Sequence, residues 1–161
     1  MKRKTMSTVL HIILILCTLG ILVFFFAFLP FLGKETVREN PGYHGFYWPC
    51  LIWAWVFSVP FFASIPPAWG IFSSIRQEGG AFCVENVKRF RLLMYMAWTA
   101  SLLFFGGMVF MAVKGAGSPM LTLIINPCVL FIGFSVGFAC FVMSRLVADS
   151  VRLKQENDLT I

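Results

Sequence analysis

The chain has 161 residues, of which 59% are hydrophobic and 12% are charged, and its formal net charge is +6. A soluble domain carries about 25% charged residues, so this composition excludes a water-soluble fold of the same length. The basic residues lie beside apolar stretches, which argues for contact with membrane headgroups and against direct binding of nucleic acid. The composition therefore predicts an integral membrane protein whose main partner is the lipid bilayer.

Four apolar stretches follow one another along the chain, at about residues 8–32, 48–74, 90–113 and 119–147. A helix needs about 20 apolar residues to cross the hydrocarbon core, and each stretch meets that length. The first stretch is longer than the apolar region of a signal peptide, so we expect it to be retained. The sequence predicts an all-α integral membrane fold, a bundle of four transmembrane helices in a single domain, 1–161.

Basic residues alternate between the two sides of the predicted membrane. One side holds ten of them, at positions 2, 3, 4, 76, 88, 89, 91, 145, 152 and 154, and the other holds three, at positions 34, 38 and 114. The side that is richer in Lys and Arg faces the cytoplasm in most membrane proteins. We therefore predict a multi-pass protein of the bacterial cytoplasmic membrane with both termini, the loop 75–89 and the tail 148–161 inside.

The segment 33–47 connects the first two spans on the opposite side. It is predicted to be a short polar outer loop. Tyr43, Tyr47 and Trp48 at its end are typical of an aromatic belt at the headgroup level.

The predicted cytoplasmic loop and tail carry most of the polar side chains. A helix is expected to start near Cys83, which would place Glu85 in the first turn, where the helix dipole favours a negative charge. The simplest interpretation of the basic residues that follow is a topology signal, and the alternative is a docking surface for a cytoplasmic protein. The candidate residues for that surface are Glu85, Asn86, Lys88, Arg89, Arg91, Glu156, Asn157 and Asp158.

Prolines interrupt two of the predicted spans. Pro60, Pro66 and Pro67 each remove a backbone donor from the second span, so kinks or a local break are expected there. Such kinks give a helix its shape, and the alternative is a binding cavity or hinge of the kind that transporters use. In the fourth span, Asn126 precedes Pro127 and is expected to hydrogen-bond to a neighbouring helix.

The fourth span also contains a GxxxG motif formed by Gly133 and Gly137. The motif allows close approach of another helix, and Ala97 and Ser101 offer a similar small surface on the third span. We favour packing within one chain. Packing between copies, which would give a homo-oligomer, remains the alternative.

Reactive groups are sparse. His11 and His44 are predicted to lie on opposite sides of the membrane, and the five Cys residues form no paired spacing. None of the four stretches contains Asp or Glu, the groups that a proton-coupled transporter normally needs. We therefore expect no catalytic residue, no metal site and no cofactor, and we expect that the protein is not an enzyme.

Several segments together resemble one bacterial family, domain of unknown function 2975. They are KRKT at 2–5, ENP at 39–41, YWP at 47–49, PF at 60–61, FCVENVKR at 82–89 and ENDLTI at 156–161. The resemblance implies a small four-helix protein of the cytoplasmic membrane. It also implies a partner, because members are frequently encoded beside a very small helix-turn-helix regulator of the Cro/CI type. No functional residue is established for the family, so none is transferred to this chain.

The sequence thus favours a non-enzymatic membrane-bound regulator or sensor that acts with a small cytoplasmic helix-turn-helix transcription factor. The alternative is a component of a transport or export system for a small apolar or amphipathic compound. In that case the kinked second span and Asn126 would border the path.

Overall fold

The computed structural model of the protein describes residues 3–76, 82–115 and 119–158. Its elements are α1 (Arg3–Val23), a π-helical segment (Phe24–Phe28), α2 (Leu29–Glu39), a 3₁₀ helix (Pro41–Phe46), α3 (Tyr47–Ser74), α4 (Val84–Val113) and α5 (Pro119–Asp158). Within the described residues, four helices are long and apolar enough to cross a membrane; the first of them joins α1, the π segment and α2. The predicted all-α membrane fold with four transmembrane helices is confirmed.

Each predicted apolar stretch lies inside one of these helices, and most of the helices are longer than the stretch. α5 has 40 residues, which at 1.5 Å per residue makes it about 60 Å long, twice the thickness of the hydrocarbon core. The segment 33–47 differs from the expected loop, because α2 continues to Glu39 and the 3₁₀ helix fills most of the remainder. The helix ends therefore extend beyond the hydrocarbon region.

Neighbouring helices pack antiparallel and in chain order. α1 contacts α3, α3 contacts α4, and α4 contacts α5 most extensively, whereas the described parts of α1 and α4 do not touch. Phe25 of the π segment packs its ring against Phe57 and Phe61 of α3. The first helix and α4 thus both pack on α3, α5 packs on α4, and a space remains between the first helix and α4.

The prolines of α3 do not break the helix, which is continuous from Tyr47 to Ser74. Ser58 donates its hydroxyl hydrogen to the carbonyl of Trp55 at 2.7 Å, and Ser64 donates to that of Phe61 at 2.7 Å. A proline frees the carbonyl four residues earlier, so both hydroxyls bond carbonyls next to the freed ones. α5 is likewise continuous through Pro127.

Glycines set the close packing of α5 on α4. A Cβ atom at Gly133 would overlap the Ser101 hydroxyl, and one at Gly137 would overlap the indole of Trp98. The two glycines thus provide space for side chains of α4 in the same chain. At Gly133 the backbone of α4 is also near, because the same Cβ would lie 3.6 Å from the carbonyl oxygen of Ala97.

Candidate functional site

Polar side chains of all four spanning helices meet at one end of the molecule. We call it the basic end, because the described basic residues there are Lys4, Arg76, Lys88, Arg89, Arg91, Arg145, Arg152 and Lys154. The antiparallel packing brings these residues to the same end, and it places Lys34, Arg38 and Lys114 at the other.

Asn86 is the centre of a hydrogen-bond network between α3 and α4. Its side chain is fully buried (0% exposed). Asn86 Nδ2 donates to Ser74 Oγ at 2.6 Å, and Asn86 Oδ1 accepts from the Arg89 guanidinium at 2.8 Å. The same guanidinium nitrogen donates to the carbonyl of Gly70 at 3.0 Å. The network joins the last turn of α3 to the first turns of α4.

Gly70 makes this geometry possible. A Cβ at that position would lie 2.5 Å from Arg89 Nε and 2.7 Å from its Cζ, well inside contact distance. Only glycine therefore leaves the guanidinium room to reach the α3 backbone. The interacting groups are neutral dipoles and one delocalised charge, and their hydrogen bonds fix α4 against α3.

The first helix is attached at the same end by Ser7 and His11. Ser7 donates to the carbonyl of Phe72 at 2.8 Å. His11 Nδ1 lies 2.7 Å from the Ser7 carbonyl, which can only accept, so Nδ1 carries the hydrogen. His11 Nε2 lies 3.1 Å from Ser73 Oγ, and the imidazole packs edge-on against Trp69 with ring centroids 4.3 Å apart. Through these contacts the His11 side chain packs α1 against α3.

α5 joins the network through Ser144, which donates to the carbonyl of Val87 at 3.1 Å. Asp158 lies 14 residues beyond Ser144 along α5. The antiparallel helix α4 reaches only three residues beyond Val87 in that direction, to its first residue, Val84. The last 11 residues of α5 therefore project about 16 Å beyond the start of α4. We call residues 148–158 the projecting arm.

The start of α4 agrees with the prediction. Cys83 is the N-cap residue, with φ −133° and ψ 155°, and its side chain makes no cap hydrogen bond. The pKa of Glu85 is lowered because its carboxylate accepts hydrogen bonds from its own backbone N–H and from the Cys83 side chain. The charges of Arg89 and Lys88 act in the same direction, so a stable negative charge marks the first turn.

The predicted partner surface divides into two groups. Glu85, Lys88 and Arg91 are exposed on α4, and Glu156 is exposed on the projecting arm, where it accepts a hydrogen bond from Arg152 at 2.9 Å. Asn86 and Arg89 instead face α3, so their role in this structure is to hold two helices together. The side chains of Asn157 and Asp158 lie outside the described part of the chain.

Of the predicted packing and hinge residues of α5, Asn126, Gly133 and Gly137 lie on the face toward α4, whereas Pro127 is exposed. Asn126, Gly133, Gly137 and Ser144 recur at intervals of seven, four and seven residues, which keeps them on one side of a helix. Asn126 is 6% exposed, and its Oδ1 has no hydrogen-bond partner among the described residues. Asn126 is thus buried, and its Oδ1 forms no hydrogen bond to a neighbouring helix within the described residues.

No group of three or more His, Cys, Asp or Glu side chains that could hold a metal ion is found within residues 3–76, 82–115 and 119–158. The chemistry that the site does offer is hydrogen bonding and charge at the basic end. Away from the basic end, apolar cavities lie between the first helix, α3 and α4.

Sequence reasoning missed Gly70, Ser7, Ser73 and Ser74 as members of the network. A signal for two of them, Gly70 and Ser74, is present in the antiparallel pairing of α3 and α4. Positions 70 and 89, and positions 74 and 86, have nearly equal sums, as facing residues of two antiparallel helices must. Gly70 lies opposite the basic residue Arg89, and Ser74 lies opposite the amide of Asn86. These two pairs would have indicated the contact between α3 and α4 once the length of the connection between the two helices was known.

The chain matches the family described as "Protein of unknown function (DUF2975)" over residues 31–161. It is also 25% identical to a protein of Bacillus subtilis (strain 168) called "Uncharacterized membrane protein YoaS", over 97% of this chain and 98% of the relative. Comparison with solved structures gives no match.

Proposed function

The chain belongs to the DUF2975 family, and from that premise we propose that it is a membrane-bound regulator or sensor that acts without catalysis. Its partner on this proposal is a small helix-turn-helix transcription factor, held at the basic end on the cytoplasmic side of a bacterial inner membrane. The family resemblance supplies the partner class, and the excess of Lys and Arg supplies the orientation.

The observation that carries the proposal is the projecting arm of α5. An isolated helical end gains little from propensity alone, and its Leu153 is 61% exposed. The arm lies at the same end as the exposed side chains of Glu85, Lys88 and Arg91. Together they form a surface that combines charge with apolar area, as protein-binding surfaces do.

The two groups of candidate residues have separate roles on this proposal. Lys88 and Arg91 contact the transcription factor. Asn86 and Arg89 hold α4 in position through α3, so changing them would alter the fold and the surface together. A test of the partner surface must therefore leave Asn86 and Arg89 intact.

The direct test is retention of a small helix-turn-helix regulator, of the kind that is frequently encoded beside members of the family, measured by co-purification with membranes. We expect that Lys88→Gln with Arg91→Gln, combined with deletion of 150–161, lowers retention about tenfold, since several contacts of about 0.5 kcal/mol or more are lost. The matched control is Lys34→Gln with Arg38→Gln, which removes the same charges from the opposite end.

The control is expected to retain the regulator at the level of the unchanged protein. Unchanged retention in the first variant, together with unchanged transcription of the regulator's target genes, would contradict the assignment of this surface.

The transport alternative has weaker support. It requires that Asn126 and the proline-rich part of α3 border one path. Asn126 lies on the face of α5 that packs against α4, and it does not line the apolar cavities between the first helix, α3 and α4. A substrate-dependent flux through purified protein in liposomes would favour transport over regulation.

A further inference from the structure

Two cavities lie between the first helix, α3 and α4, away from the basic end. Their volumes are about 530 Å³ and about 290 Å³. Both are lined by Leu29, Cys50, Ala54 and Met111, so they lie side by side, and we call the two together the cleft. Its total volume lies within the range of about 300–1,000 Å³ that is usual for small-molecule sites.

The packing order of the helices creates this cleft. The first helix and α4 each pack on α3 without touching one another in the described residues, so α3 forms the floor of the cleft. Ala54 adds little bulk to the lining, Gly107 leaves room for the Trp53 indole, and the π segment places Phe24 and Phe25 along one wall. π-helical segments inside α-helices frequently occur at functional sites.

The lining changes in polarity along the cleft. The larger cavity is bounded by aromatic and aliphatic side chains such as Phe57, Phe104 and Trp53. Thr36, Tyr43 and Tyr47 border only the smaller cavity, which reaches the end of the helices. None of the described lining residues is charged, so the deep part of the cleft favours an uncharged apolar group.

The lining of the cleft reaches the surface that faces the hydrocarbon region, because Phe24 and Phe110, which line it, are 46% and 45% exposed. A helix from a second copy does not fit, because a cylinder about 10 Å wide and ten residues long occupies about 1,200 Å³. A single flexible hydrocarbon chain is narrow enough to enter between the helices.

We propose that this cleft is a binding site for one acyl chain of a membrane phospholipid, taken from the leaflet opposite the basic end. The acyl chain lies against α3 beside Ala54, and the glycerol region of the lipid lies at the level of Tyr43 and Tyr47. Tyrosine is well suited to that boundary, because its ring is apolar and its hydroxyl is polar. The site does not depend on the proposed transcription factor, and binding is measured without it.

The test uses the full-length protein in detergent, delipidated and then titrated with a palmitoyl-oleoyl phosphatidylglycerol while bound lipid is counted by native mass spectrometry. We expect one tightly retained phospholipid per chain and about tenfold weaker retention in Ala54→Phe, whose ring fills the cleft. The matched control is Ala139→Phe, at an exposed position of α5, and it should retain lipid as the unchanged protein does. Equal retention in Ala54→Phe, or no retained lipid in the unchanged protein, would overturn the proposal.

A second measurement needs no substitution and therefore decides the question if Ala54→Phe fails to fold. The unchanged protein in nanodiscs is irradiated with a phospholipid that carries a diazirine in its acyl chain. We expect labelling concentrated at residues 50–57 and 104–111 that an excess of unlabelled lipid removes. Labelling spread evenly over the exposed face of α5 would show only solvation by the bilayer, and the site would be rejected.

Discussion

Replacing Asn86 with alanine is expected to lower the free energy of unfolding by about 2–3 kcal/mol. The substitution removes one hydrogen-bond partner from the buried Ser74 hydroxyl and one from the half-buried Arg89 guanidinium. Each such loss costs about 1–3 kcal/mol, and the partial exposure of Arg89 keeps its share small. Unfolding by denaturing detergent, followed by circular dichroism, measures the effect.

Lys88→Ala is the control for this substitution, because Lys88 is exposed on the same turn of helix. It should change stability by no more than about 0.5 kcal/mol. A double-mutant cycle of Asn86→Ala with Ser74→Ala should show a coupling of about 1 kcal/mol. If Asn86→Ala were as mild as Lys88→Ala, the network would not be holding α4 against α3.

Enlarging Gly137 is the second change with a large expected effect. Its Cβ would overlap the Trp98 indole, so Gly137→Ala should destabilise by about 1–3 kcal/mol and Gly137→Leu by more. The indole cannot shift freely, because it packs against Phe134 with ring centroids 6.0 Å apart. The same detergent unfolding experiment measures both variants.

Gly20 provides the control of opposite sign. A Cβ at Gly20 meets no atom within 4 Å, and alanine is a better helix former than glycine by about 0.5–1 kcal/mol. Gly20→Ala should therefore be neutral or slightly stabilising. Comparable losses at Gly20 and Gly137 would mean that the contact between Gly137 and Trp98 is not part of the folded protein.

The sequence specified the four helices because their determinant is local. Each apolar stretch is long enough to span the hydrocarbon core whatever its neighbours are. The start of α4 was predictable for the same reason, because Glu85 in the first turn and the residues around Cys83 mark where the helix begins. The continuation of α2 to Glu39 was missed because polar residues at a helix end read as a loop.

The direction in which Asn86 and Arg89 point was not predictable in the same way. Both residues are polar and lie close to exposed Lys88 and Arg91, so composition assigned all four to one surface. Burial depends on the rotation of α4 against α3, which the contact between Arg89 and Gly70 fixes. That rotation is a property of the pair of helices and not of either segment.

The cleft was invisible in the sequence for a related reason. Its walls come from three helices, and it exists because the first helix and α4 both pack on α3 without meeting. The π segment adds one residue to a turn and rotates everything that follows it, and no local composition marked it among five consecutive apolar residues. Pairwise helix packing has to be known before such a space can be inferred.

The orientation of the four helices is the central claim, because both the regulator surface and the position of the lipid site depend on it. Single cysteines at Glu156 and Lys34, each in a background without the native Cys residues, can be probed with a membrane-impermeant maleimide. Glu156→Cys should react only after the cells are permeabilised, whereas Lys34→Cys should react in intact cells or spheroplasts. Labelling of Glu156→Cys in intact cells, with Lys34→Cys protected, would place the basic end outside and contradict the account.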